Sequence, residues 1–464
     1  MSKKPIAINN NYEEPFHDYL HRLFGTEYAE PMHVGGNHVR DITIQVTEAC
    51  NLCCTYCYQH DKTPAVLDLE TGKKFIDMIL ASDERSEQYL QSRNCEGVIL
   101  NFIGGDPLLE IDLMDQLTDY FIQRMIDLDH PWLTRYRISV GTNGLLYFDP
   151  KFQAFIEKNK YHLSISITVD GNKKLHDSCR IDHNGNGSYD RAMAAVKDWQ
   201  SRIGGDDRVG TKITIAPGNI DILSEALIEF ATGTTPFINC NCVYEEGWTL
   251  EHATKLYTEL KRVADYLVEH DLQDSAWISI LDQVSGIKAE GEQTWCGGNG
   301  LMMALDVRGN IYPCIRYTPS SIGGKQPDFI IGTAEHGFGY TPEEAQRIKC
   351  LSCIKRSTQC SQECLDCPIS MGCGDCAGYS YEVTGKIGSR VTYICEMHKA
   401  RVLASVYYSN IAYLKSGFKR PRPLYVPKEW AIPIIGEDEY NMLVALTEKN
   451  AEAIKDYNPY KYLN

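Results

Sequence analysis

Cysteine is spread unevenly along this chain, and the spread constrains the fold more than any other feature. Of 18 cysteines, Cys50, Cys53, Cys54 and Cys57 crowd into one short stretch. Ten more, Cys296, Cys314, Cys350, Cys353, Cys360, Cys364, Cys367, Cys373, Cys376 and Cys395, fill a second block, and Cys95, Cys179, Cys240 and Cys242 stand apart. A disulfide scaffold is usually a short secreted domain, whereas clustered thiols separated by a long cysteine-poor stretch are the pattern of metal ligation. The start, MSKKPIAINNNYEEP, lacks the apolar core of a secretory signal, and no apolar run reaches the roughly 18 residues of a bilayer span. A cytoplasmic protein is therefore expected. Its net charge of -16, from 62 Asp+Glu against 46 Lys+Arg, repels phosphate backbones and anionic lipid, which argues against nucleic-acid and membrane partners.

With 464 residues there is room for about three folding units. From residue 41 to 245, β-branched and apolar runs alternate with longer amphipathic stretches. The pattern predicts strands at Asp41–Thr47, Val98–Ile103, Arg137–Val140, Leu163–Val169, Lys212–Ala216 and Pro236–Cys242. Between them, apolar residues recurring every three or four positions predict helices at Leu69–Ala81, Ile111–Ile126, Tyr189–Trp199 and Ile222–Ala231. Six such units imply a parallel sheet that curls into a full or partial barrel, and the fold class expected is α/β, a partial (β/α)6 TIM-like barrel. A long helix over Leu250–Glu269 leads away from it. The second cysteine block is rich in Gly and polar residues, so ligated metal rather than apolar burial should organise it. Beyond it come a helix near Arg401–Leu414, a basic linker read as a solvated strap over Lys415–Arg422, and a last helix near Asp438–Ile454. The expected units are an N-terminal extension at 1–40, barrel plus bridging helix at 41–290, a cysteine-rich domain at 291–400, and C-terminal helices and tail at 401–464.

The first group, Cys50-x3-Cys54-x2-Cys57, follows the first predicted strand, at the carboxyl end of a parallel sheet where ligands bind. Three thiolates on one loop suit a 4Fe-4S cluster with one iron free to chelate the amino and carboxylate groups of S-adenosylmethionine. Reductive cleavage of that cofactor supplies a 5'-deoxyadenosyl radical, which takes hydrogen from unactivated C–H bonds. A zinc knuckle with Cys53 as fourth ligand is the alternative. CNLCCTYCYQ, with Tyr56 at the aromatic position, resembles the CxxxCx(aromatic)C signature of the radical S-adenosylmethionine (SAM) superfamily. Gly104-Gly105-Asp106-Pro107 resembles its GGEP segment with Asp for Glu, and Thr142-Asn143-Gly144 its TNG segment. Thr168, Asp170 and Arg180 in ITVDGNKKLHDSCR resemble its SxDG...HDxxR stretch. The resemblance implies that Tyr56, Gly104, Gly105, Asp106, Pro107, Asn143, Thr168, Asp170 and Arg180 bind S-adenosylmethionine, with Asp106 at the methionyl amine and Arg180 at the opposite end of the methionyl group.

Cys296, Gly309 and Cys314, then Cys364-x2-Cys367-x5-Cys373-x2-Cys376 and a distant Cys395, resemble the SPASM extension of radical enzymes that modify peptides and proteins, although the last pair commonly has x3 there. This implies an outer auxiliary 4Fe-4S cluster on Cys364, Cys367, Cys373 and Cys395, and an inner one with Cys296, Cys314 and Cys376 at three corners. Cys350, Cys353 and Cys360 exceed the usual set; any of them could close the inner cluster, and Cys353 is counted among the ligands. Zinc in the CxxC pairs is the alternative. The cofactors expected are S-adenosylmethionine and three 4Fe-4S clusters. An oxidised cluster beside a substrate radical favours electron loss over hydrogen recovery, which points to oxidative cross-linking. PISMGCGDCAGYSYE and YICEMHKAR are similar to segments of sactipeptide and ranthipeptide maturases, implying thioether formation between Cys and carbon in a ribosomal precursor peptide, with flavodoxin or ferredoxin as electron donor. Carbon–carbon cross-linking, epimerisation and sulfatase-type oxidation are the enzymatic alternatives, and a zinc-stabilised peptide-binding module the non-catalytic one. Leader recognition would be reduced, rebuilt from Asn9–Gly36 and the C-terminal tail, or supplied by another protein. No side chain is singled out as catalytic, and His162 and His176 are read as structural or surface residues rather than ligands.

Overall fold

The computed structural model describes residues 39–455 and 457, apart from 82–83, 85–88, 90–94, 96, 204–208, 234–236, 293, 295 and 299–300. Nearly all of the N-terminal extension, with the leader-binding segment expected at Asn9–Gly36, lies outside the described residues, as does the end of the tail.

Seven strands lie side by side in parallel: β1 (Val39–Thr47), β2 (Gly97–Gly104), β3 (Tyr136–Thr142), β4 (Leu163–Ile167), β5 (Val209–Ile215), β6 (Phe237–Cys242) and the two-residue β7 (Trp277–Ile278). The connections carry α1 (Leu69–Leu80), α2 (Ile111–Asp127), α3 (Pro150–Asn159), α4 (Lys173–Cys179), α5 (Tyr189–Ile203), α6 (Leu223–Thr232) and α7 (Leu250–Glu269). Side-chain caps fix several starts. Asp68, Asp149 and Asn172 each accept a backbone N–H of the first turn of α1, α3 and α4, and Thr249 does so for α7. The short α3 and α4 escape the periodicity reading, although Phe152, Phe155, Ile156 and Asn159 make a buried stripe on α3.

Alternation within the strands separates two faces. Ile138, Val140, Leu163, Ile165, Ile213, Ile215 and Ile238 are at most 1% exposed, packed into the core. Each such burial stabilises by roughly 1.5–3 kcal/mol. The residues between them, among them Asn101, Ser139, Ser164, Ser166, Lys212, Thr214, Asn239 and Asn241, are polar and at least partly open. The open face is thus built to meet a polar ligand.

The sheet does not close. Its order is β11-β10-β9-β8-β1-β2-β3-β4-β5-β6-β7, with β8 (Met302–Leu305) parallel to β1 and β9 (Asn310–Tyr312), β10 (Gly332–Thr333) and β11 (Gly337–Phe338) antiparallel beyond it. The first strands of the cysteine block therefore continue the barrel's own sheet across residue 290. Gly309, at φ +86°, makes the turn between β8 and β9, where Asp306 accepts the Arg308 and Asn310 N–H groups, and so returns the chain toward Cys314. Helix α8 (Cys395–Ser416) runs back over α7, where Tyr407 hydrogen-bonds Asp265, and buries Met397, Val402, Leu403 and Val406. The strap is not solvated throughout: Pro421, Arg422 and Pro423 are buried, and Arg422 donates to the Asp282 and Gln283 carbonyls at 2.6 and 3.1 Å. A guanidinium whose donors meet backbone acceptors can be buried where a plain charge run cannot.

Candidate active site and cysteine centres

The loop after β1 is held by its neighbours rather than by regular structure. Cys53 and Thr55 donate backbone N–H groups to Ile181 O and Cys179 O at 2.9 and 3.0 Å, and Asp106 N–H reaches Ala49 O at 2.8 Å. Gly104 and Gly105 permit this approach, since a Cβ on them would stand 2.3 Å from Thr47 O and 2.0 Å from Ala49 O. On this loop Cys50, Cys54 and Cys57 act electrostatically on one another. Burial pushes Cys54 up to about 11 and raises Cys50 as well. The Cys53 thiol is exposed and donates to Asp182 O at 3.2 Å, so it serves that backbone.

Sequence reasoning missed Lys62. Burial alone would lower its ammonium pKa, yet the charges of Cys57, Cys50 and Cys54 and a hydrogen bond to Cys57 raise it. It is the sole Lys or Arg between Glu48 and Asp68, a signal that was present in the sequence.

Asp106 is buried with its carboxylate committed. It accepts the Thr142 hydroxyl at 2.9 Å, the Asn143 N–H at 2.8 Å and the Leu108 N–H at 3.0 Å. The one-methylene-shorter acid therefore brackets the ends of β2 and β3 together. Pro107 opens the short turn that Asp106 caps. Asn143 in turn donates to Asn51 Oδ1 at 2.6 Å, with Cys50 Sγ 3.9 Å away. The Thr168 N–H ends on Thr142 O.

Tyr56, Asp170 and Arg180 meet in one group. The Tyr56 hydroxyl donates to Asp170 and accepts from Arg180 at 2.8 Å, while the Arg180 and Asp170 charges stand 3.9 Å apart. Asp170 also accepts the Thr214 N–H at 2.8 Å, and its own N–H meets His176 Nδ1. Burial raises its carboxyl pKa, opposed by Arg180. Arg180 Nε is buried without a hydrogen-bond partner among the described residues, beside the charge of Cys54. A cofactor carboxylate is the group such a donor lacks.

In the second block, Cys296, Cys314 and Cys376 form a trio. A Cβ on Gly298 would lie 3.4 Å from Cys296 Sγ and 3.7 Å from Cys314 Sγ, and Cys376 acts electrostatically on both. Burial pushes Cys296 up to about 11. Arg316 hydrogen-bonds Cys376, pairs with Glu245 at 3.0 Å, and stacks 4.8 Å over the Tyr58 ring. Tyr58 directly follows Cys57 and feels the charges of Cys57, Cys314 and Cys376, so it joins the first loop to the trio. Cys353 is exposed at the C-cap of the helix Pro342–Ser352 and is not among the groups that act most strongly on the trio.

Cys364, Cys367, Cys373 and Cys395 line one cavity of about 290 Å³, together with Arg390, His398, Lys399 and Trp430. A water molecule's share of liquid is about 30 Å³, so this space accepts a far larger group. Arg390 donates to Cys373 Sγ at 3.0 Å and approaches Cys360 Sγ at 3.8 Å. Cys350 accepts from Gln346.

Among the described residues, no three His, Cys, Asp or Glu side chains close on a point that one ion could occupy. The thiols are gathered more loosely, and an all-sulfur donor set of this kind fits iron–sulfur clusters that span it. Among the described residues, no helix is long and apolar enough to cross a membrane.

A family model of the radical SAM superfamily matches residues 44–231. The cysteine-type anaerobic sulfatase-maturating enzyme of Clostridium novyi is 29% identical over 152 residues, 32% of this chain and 37% of that protein. The mycofactocin maturase MftC of Mycolicibacterium smegmatis is 24% identical over 283 residues, 59% of this chain and 63% of that protein. The chain thus spans less than two thirds of the length of these curated relatives. A solved structure described as native anSMEcpe with bound AdoMet and Cp18Cys peptide superposes with a TM-score of 0.57 at 18% identity, covering 81% of this chain and 99% of that one, a likeness of fold. The family brings S-adenosylmethionine and a 4Fe-4S cluster as cofactors. The cysteine loop after β1, the glycine pair that lets it pack and the Tyr56–Asp170–Arg180 group all fall inside the matched segment, so residues 44–231 are matched as a radical SAM domain and the site lies within it.

Proposed function

We propose that the chain is a radical SAM peptide maturase that joins a cysteine sulfur to a carbon of the same peptide. In this reading Cys50, Cys54 and Cys57 hold the radical-generating cluster, Cys364, Cys367, Cys373 and Cys395 an outer auxiliary cluster, and Cys296, Cys314 and Cys376 an inner one. When bound, the first cluster and S-adenosylmethionine supply a hydrogen-abstracting radical. Arg180 and Asp170 orient the cofactor through Tyr56, and Asp106 keeps the β2 and β3 ends in register beneath it. The observation that carries the reading is the trio itself: three thiols, joined to the first loop through Tyr58 and Arg316, leave one corner of an inner cluster for a substrate thiolate. Flavodoxin or ferredoxin is the electron donor in this proposal.

A second reading, oxidation of a cysteine to an aldehyde, is supported by the likeness to sulfatase-maturating enzymes. Mass spectrometry after anaerobic co-expression with a Cys-containing precursor peptide separates the two. A thioether removes one hydrogen from sulfur and one from carbon, so the peptide becomes about 2 Da lighter per link and loses one alkylatable thiol. Loss of sulfur with a hydrazine-reactive aldehyde would favour the second reading. A mass unchanged in ordinary water but about 1 Da heavier in heavy water would mean epimerisation.

A further inference from the structure

Lys212 has no part in the site described above. On β5 it alternates with the fully buried Ile213 and Ile215, which puts it on the sheet's polar, open face. Its register partner on β6 is Asn239, and Ser166 occupies the same face of β4. All three are exposed, while Ile165, Ile167, Ile238 and Cys240 beside them in sequence are buried. Three accessible polar side chains on adjacent strands mark a stretch of this face that no other described residue fills.

The position is also electrically defined. Although the side chain is accessible, partial desolvation of its charged end lowers the Lys212 ammonium pKa, and the charges of Asp170 and Cys376 act against that. Lys212 therefore sits within the influence of both the Tyr56–Asp170–Arg180 group and the inner thiol trio, where a substrate must lie to meet both. Asp170 cannot satisfy it, because its carboxylate is taken by Tyr56, the Thr214 N–H and Arg180. Lys212 makes no hydrogen bond or ion pair among the described residues. A partly desolvated ammonium beside a hydroxyl and a carboxamide lacks one thing, an anion to accept its protons.

We propose that Lys212, with Asn239 beside it, binds a substrate carboxylate, so that the peptide modified here carries an Asp or Glu side chain next to the residue that reacts. The carboxylate site stands on the residues around Lys212; that its owner is a peptide rests on the function proposed above.

The test is calorimetric binding to the anaerobically reconstituted full chain with S-adenosylmethionine present. The probes are amidated heptapeptides with a central Cys and one Asp at each other position in turn, their Asn counterparts, and succinate as a non-peptide dicarboxylate. At least one Asp peptide should bind about tenfold or more tighter than its Asn counterpart, as expected for a charge-assisted hydrogen bond. Lys212→Met should erase that difference, and Lys212→Glu should shift the preference to a Lys peptide at the same position. Iron content and S-adenosylmethionine affinity report that each variant is intact. Equal affinity within every Asp/Asn pair, or a preference that survives Lys212→Met, would overturn the carboxylate site and leave the peptide reading standing. Lys212-dependent succinate binding with no peptide bound would keep the site and remove the peptide. Binding of no probe would overturn the proposal.

Discussion

Asp106 shows how far a single residue can be understood from sequence. Its place in a glycine-glycine-acid-proline segment was legible, but its hydrogen-bond partners Thr142 and Asn143 lie 36 and 37 residues further on, and no local pattern announces them. The resemblance assigns it the methionyl amine, whereas the geometry makes it first a bracket between two strand ends. The two roles differ in what a variant does. Asp106→Asn replaces an acceptor oxygen with an NH2 group facing N–H or O–H donors, leaving buried donors unmet at a cost of about 1–3 kcal/mol. The unfolding free energy should fall by that amount and the urea midpoint with it, with S-adenosylmethionine affinity reduced alongside. An unchanged midpoint with affinity alone reduced would make Asp106 a cofactor ligand only. Lys62 and Tyr58 were overlooked for a related reason: each matters through charges brought to it by folding, from Cys50 and Cys54 in one case and Cys314 and Cys376 in the other.

At the scale of elements, the strands of the parallel sheet could be read to within about three residues at most ends, because a strand packed under helices shows in its apolar residues. The strands β7 to β11 could not, since pieces of two to four residues have no period and exist by pairing. The strap failed similarly: Arg422 is buried by carbonyls about 140 residues back in the chain. The glycine pair after β2 gives a prediction that belongs to the loop as a unit. Gly105→Ala would set a Cβ 2.0 Å from Ala49 O, a backbone atom that can yield only if the Cys50 loop moves. Anaerobic reconstitution should then lose about one third of the iron, that of the first of three proposed 4Fe-4S clusters, while the outer cavity keeps its share. The Cys50, Cys54 and Cys57 triple Ala variant should lose the same third. Gly218→Ala, where nothing lies within 4 Å, should lose none. Equal iron in Gly105→Ala and the unaltered protein would show that the loop tolerates the displacement.

For the molecule as a whole, a sheet that continues from β7 to β11 makes barrel and cysteine block parts of one packed body, joined again where α8 lies on α7. Its acid tolerance then depends on buried groups that must stay neutral, whichever part they occupy. His130 is 5% exposed, accepts the Trp132 N–H on Nδ1 at 3.2 Å and stacks edge-on with the Trp132 ring. Burial lowers its pKa from the usual 6.5 to about 4. His176 is shifted in the same direction by burial and by Arg180. Because the folded pKa is depressed, the unfolded chain binds the proton first. The stabilisation is whole above about pH 6.5, shrinks as pH falls toward 4, and shrinks no further below that. For His130 a depression of this size amounts to up to about 3 kcal/mol across that window. Protonation also removes the Nδ1 acceptor that caps the turn at Pro131–Thr134. His130→Asn keeps an acceptor at the cap and removes the titration. Urea midpoints measured anaerobically between pH 7.5 and 4 should therefore fall less steeply for His130→Asn than for the unaltered protein, the two curves diverging below pH 6.5. Parallel curves through that window would mean that His130 takes up its proton without loss of the packed state.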